Sequence, residues 1–148
     1  MALGGSSKFT EPFNHTPSGS PFAEAYFKST PGRWEGLGLP RCQALAEELR
    51  DHPASFTHLE APQLLKHTLG LRNQYPQGQL LLLWFRPGTE EAEAFAKEID
   101  VFAGAVDKEL GFRSITYQEV YARLERVAGR DPAHAEYLTY LGSRYFSQ

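Results

Sequence analysis

Gln79-Leu80-Leu81-Leu82-Leu83-Trp84-Phe85-Arg86 is the stretch on which the fold turns. Leucine by itself serves a helix as well as a strand, so composition does not decide. The boundaries do: Pro76-Gln77-Gly78 stands before the run and Pro87-Gly88 after it, leaving room only for a short element. A short element that is apolar on both faces reads as a central strand covered from both sides.

Downstream, Thr89 is a candidate helix cap, and Glu90, Glu91 and Glu93 occupy the first turn, where the helix dipole favours carboxylates. Phe95, Ile99, Phe102, Val106 and Leu110 follow at helical spacing, and Gly111 closes the helix. Phe112 to Ile115 reads as a short strand. Thr116-Tyr117-Gln118-Glu119 is a capping box that opens a helix carrying Val120, Leu124 and Val127 and ending at Gly129. Asp131-Pro132 starts a last helix, with Leu138, Leu141 and Tyr145 expected inward.

Upstream, Pro40 opens a helix with Cys42, Leu45, Ala46 and Leu49 on one stripe, stopped by Pro53. A second helix runs from Pro62 to about Tyr75, with Leu64, Leu65, Thr68 and Leu71 inward. Residues 1–38 are rich in glycine, proline and serine. Their aromatics (Phe9, Phe13, Phe22, Tyr26, Phe27, Trp34) predict packing on the body rather than a solvated linker. The strand candidate there is Lys8 to Phe13. The chain thus reads as one domain, residues 1–38 packed on an α/β body of residues 39–148. The expected fold is a small mixed or parallel sheet with flanking helices, in the order β-loop-α-α-β-α-β-α-α.

At 148 residues such a domain buries about two thirds of its unfolded surface. A formal charge of −3 argues against sequence-independent DNA binding, which calls for a basic excess. The one cysteine, Cys42, excludes an internal disulfide, and the longest apolar run, Leu80 to Phe85, is too short for a membrane span. The N-terminus has neither the basic nor the apolar region of a signal peptide, so a cytoplasmic location is expected, with no membrane partner.

Chemistry is sparse. His15, His52, His58, His67 and His134 lack metal-ligand spacing, no Gly-x-Ser-x-Gly elbow or phosphate loop is present, and Cys42 lies on an apolar stripe. Glu47-Glu48 and the Glu90 cluster are explained by helix electrostatics. What remains is a polar set formed by Lys8, Gln63, Lys66 and His67, expected at the strand ends where open α/β sheets place their sites.

Lys8-Phe9-Thr10-Glu11-Pro12-Phe13, then Gln63 to Leu71, then Leu80 to Phe85 resemble the C-terminal part of a restriction-endonuclease-like, PD-(D/E)xK nuclease. Phe112 to Glu119 and Tyr137 to Phe146 resemble one bacterial subgroup of uncharacterised members. In that superfamily an Asp and a Glu hold a divalent metal, a Lys two residues after the Glu positions the attacking water, and a helix-start Gln supports the site. The resemblance puts Lys8 at the lysine and Gln63 at the glutamine. Ser6, however, stands where the Glu belongs, and no other lysine has an acid two residues before it. Only seven residues precede Lys8, too few for the strand that would supply the Asp.

Metal-assisted hydrolysis needs those carboxylates. The resemblance therefore implies a non-catalytic or degenerate nuclease-like domain in which Lys8 and Gln63 are vestigial. It holds no cofactor, or Mg²⁺ if a site survives, and retains weak nucleic-acid contact through Lys66, His67 and Arg72. The alternative is a protein-interaction module that self-associates as a homodimer through an exposed sheet edge. An unseen enzyme site using Glu11, Glu60 and His67 ranks third.

Overall fold

The computed structural model describes residues 3–8, 21–128 and 131–146, with only the backbone described for 3–8 and for Asp107. The leucine run forms β2 (Gln79–Trp84), the middle strand of a parallel three-stranded sheet. Its neighbours are β1 (Leu3–Lys8) and β3 (Arg113–Thr116). The helices are α1 (Pro40–Asp51), α2 (Ala61–Gln74), α3 (Glu90–Leu110), α4 (Tyr117–Ala128) and α5 (Pro132–Leu141), and a π-helical turn, Gly142–Phe146, follows α5. The class is mixed α/β, with helices flanking a small parallel sheet.

Two strand expectations change. β2 is not covered equally on its two faces: Leu80, Leu82 and Trp84 are buried, while Leu81 and Leu83 are half-buried. The alternation arises because α1, α2 and α3 supply their apolar stripes to one face only. β1 also starts earlier than Lys8. The run Leu3-Gly4-Gly5-Ser6-Ser7-Lys8 has little strand propensity, and its pairing with Gln79 to Trp84 imposes the extended form. The rest of the expected strand, Phe9 to Phe13, lies outside the described residues.

On the covered face the core is continuous. Cys42, Leu45, Ala46 and Leu49 of α1, Leu64 and Leu65 of α2, and Phe95, Ile99, Phe102, Val106 and Leu110 of α3 are all buried in it. Leu71 is only partly buried. Burial of each large apolar side chain contributes about 1.5–3 kcal/mol. Gly111, at φ 60°, takes the left-handed turn that releases the chain from α3 into β3. Trp34 is the anchor of the upstream segment: it is fully buried, and its indole N–H donates to Leu65 O at 2.9 Å and Thr68 Oγ1 at 3.1 Å. Phe22, Tyr26 and Phe27 surround it at ring distances of 5.8, 5.7 and 6.4 Å.

Carboxylates tie the body together across the sequence. Glu109, near the end of α3, accepts from the amides of Arg41 (2.7 Å) and Cys42 (3.1 Å) at the start of α1. These first-turn amides have no partner within their own helix, so the distant carboxylate caps it. Glu98 does the same for the segment before α2, accepting from the amides of Thr57, His58 and Leu59 and from the Thr57 hydroxyl. Burial alone would raise the Glu98 carboxyl, but these hydrogen bonds outweigh it and hold it below the ordinary glutamate range.

The C-terminal layer is built differently. The capping box forms as the spacing predicts, Thr116 Oγ1 accepting from the Glu119 amide (3.1 Å) and Glu119 accepting from the Thr116 amide (2.8 Å). Yet α4 buries no residue: Leu124 is 46% and Val127 80% exposed. On α5 only Leu138 is buried, Leu141 is half-buried, and Tyr145, expected inward, lies exposed in the π-helical turn. The reason is geometric. After β3 the chain has no further strand among the described residues against which α4 and α5 could close.

Candidate interaction edge

The connection from α2 to β2 spans only Tyr75 to Gly78, so α2 runs antiparallel to the strands, and its first turn lies at their carboxyl ends. Lys8 ends β1 opposite Trp84, and Gln63 is exposed in the first turn of α2, so both belong to that end of the sheet. His67 is exposed one turn further along. Lys66 is half-buried, with its ammonium 5.4 Å from the centre of the Phe22 ring, where it packs on the aromatic cluster. Arg72 belongs elsewhere: nine residues beyond Gln63, about 13 Å along the helix, it donates to the carbonyls of Pro76 and Glu109. Gln63, Lys66 and His67 thus share the first half of α2, while Arg72, named with Lys66 and His67 as a nucleic-acid contact, lies toward its other end.

Two further expectations concern chemistry. Cys42 is fully buried and its thiol is pushed up to about 12, by burial first and by the Glu109 carboxylate second, which leaves it un-ionised and unreactive at neutral pH. Among the described residues no three His, Cys, Asp or Glu side chains come together as a metal-binding group. In the sequence Ser6 stands where the nuclease resemblance would place the metal-binding carboxylate beside Lys8. Among the described residues no helix is long and apolar enough to cross a membrane.

The feature that stands out is the free side of β3. Among the described residues, no strand pairs with its outer edge. Beside that edge runs a groove of about 320 Å³, with Ser114 and Thr116 on one wall, Glu93, Lys97 and Asp100 of α3 on the other, and Trp84 at its inner end. Arg86 and Glu93 close one end of it with a 2.9 Å ion pair. Trp84 is buried there, and its indole N–H has no hydrogen-bond partner among the described residues, a cost of about 1–3 kcal/mol.

The Gln118 amide ties the start of α4 to the segment that follows β2, accepting from the Arg86 amide (3.3 Å) and donating to the Arg86 carbonyl (2.7 Å). Along β3 itself Arg113 and Ser114 are exposed, Ile115 is half-buried and Thr116 is buried. Lys97, Asp100 and Val101 stand exposed on the adjoining surface of α3, Val101 at 62%. Sequence reasoning missed these three because α3 reads as purely structural. The available signal was Val101, an apolar residue displaced from the stripe formed by Ile99 and Phe102.

Comparison with protein-family models, curated proteins and solved structures finds no match to this chain.

Proposed function

We propose that the chain is a non-catalytic interaction domain on a nuclease-like scaffold, and that it works by self-association through the free edge of β3. The observation that carries this reading is the unpaired outer side of β3 with an open groove beside it. An uncovered edge offers a row of backbone donors and acceptors to another strand, and such edges in native proteins are normally blocked or used. Here neither a proline nor a lysine interrupts Arg113-Ser114-Ile115-Thr116, and only the Thr116 amide is taken up by α4, through Glu119. Sedimentation velocity across a concentration series tests the reading. The expected result is a shift from 16.6 kDa toward twice that mass, whereas a 16.6 kDa species at every concentration would refute it.

Weak nucleic-acid contact is a second reading, favoured by the shared position of Lys8 and Gln63 at the carboxyl end of the sheet. It predicts salt-sensitive anisotropy changes with a labelled oligonucleotide, diminished by Gln63→Ala together with His67→Ala.

A further inference from the structure

The edge of β3 and the exposed surface of α3 can be satisfied together by one occupant. We infer that it is a second copy of this chain, docked about a two-fold axis so that β3 pairs antiparallel with β3 and α3 lies beside α3. The inference rests on the self-association reading and adds the residues that would make it specific.

The first argument is dimensional. α3 packs across both β2 and β3, through Trp84–Phe95 and Phe102–Phe112 ring contacts of 5.0 Å each. Strands in a sheet lie about 4.8 Å apart, so two such helices, each over its own pair of strands, stand about 9.6 Å apart across a β3–β3 junction, inside the roughly 8–10 Å at which helices pack. The sheet can therefore continue through the junction without either helix being displaced.

The second argument is charge. The Trp84–Phe95 contact, with Thr116 paired to Trp84, and the Phe102–Phe112 contact set the two ends of the Phe112–Thr116 stretch level with Phe95 and Phe102, so Ser114, midway between them, faces the Lys97–Asp100 segment of α3. A two-fold axis at Ser114, which sets this residue opposite its own copy as the antiparallel pairing of identical strands requires, runs the helices antiparallel about this segment. Lys97 of each copy then meets Asp100 of the other, giving two reciprocal ion pairs, the self-complementarity an isologous interface requires. Among the described residues neither Lys97 nor Asp100 takes part in a salt bridge within the chain, so both are available. Val101, beside Asp100, is covered by the facing helix, which accounts for an exposed valine on an otherwise polar surface.

Charge reversal tests this on the full chain by sedimentation equilibrium. Lys97→Asp alone, or Asp100→Lys alone, sets like charges against each other twice and weakens the dimer about tenfold or more. The double variant Lys97→Asp/Asp100→Lys restores the reciprocal pairs and returns the dissociation constant to within about threefold of the parent. Both sites are exposed, so folding is unaffected, and circular dichroism confirms it. A dimer indifferent to the single reversals, or one that the double variant fails to restore, overturns this interface while self-association stands. A monomer at all concentrations, or association only with a different protein, overturns both.

Discussion

The body of the molecule, residues 21–110, and its C-terminal layer, residues 113–146, follow the same local rules with opposite results in packing. In α3 an apolar stripe opened by a Thr89 cap, which accepts from the Ala92 amide at 3.3 Å, ends up entirely buried. In α4 an equally regular stripe behind a complete capping box buries nothing. The difference lies in what stands opposite. α3 meets β2, α1 and the phenylalanines Phe56 and Phe112, whereas α4 meets α5 and little else. A good cap and good periodicity make a helix, but a core requires a second surface.

That contrast is broken most severely at Trp34. Trp34→Ala removes a buried ring together with its hydrogen bonds to Leu65 and Thr68, and is expected to cost about 3–5 kcal/mol in urea denaturation, enough to unfold the body. Retention of a cooperative transition at the parental midpoint would show that residues 21–38 are not part of the core. The layer answers differently. Phe146 stacks on Tyr121 (4.6 Å) and lies 6.3 Å from Phe85, so Phe146→Ala should cost about 1–2 kcal/mol locally. Protease sensitivity should rise in residues 117–146 while the melting of the body stays unchanged.

Acid sharpens the same comparison. The Glu98 and Glu119 carboxyls are both held below the ordinary glutamate range, Glu119 by the amide and hydroxyl of Thr116. A depressed folded-state value means that the stability is fully present above the unfolded value of about 4.3 and is lost as pH falls through the lower, folded one. Glu98→Gln should flatten this acid dependence in global unfolding. Glu119→Gln should flatten it only in the local opening of α4. The smallest effect is expected at Val127→Lys, within about 0.5 kcal/mol, because the side chain is already in water. A larger loss of stability would mean that something covers α4.

How far the sequence could be read follows from these same elements. α1, α2 and α3 were legible because proline starts, apolar stripes and the Gly111 stop all agree, and the burial of Phe95 through Leu110 follows directly from the spacing. β1 was not, since Gly-Gly-Ser-Ser carries no strand signal and takes its form from β2. The inward placement of Tyr145 failed because periodicity reports a face without reporting what covers it. At the candidate site, Gln63 was placed correctly in a first turn, but Arg72 was committed to the carbonyls of Pro76 and Glu109, partners that no local pattern announces. The edge of β3 became visible only once strand order was known.

Hydrogen exchange followed by mass spectrometry at low and high protein concentration tests the central claim most directly. If copies pair through β3, the outward amides of Arg113–Ile115 gain protection as concentration rises, while the Thr116 amide, held by Glu119, and those of α4 and α5 exchange as before. Protection of β3 that is independent of concentration, or a gain confined to α4 and α5, would contradict the account.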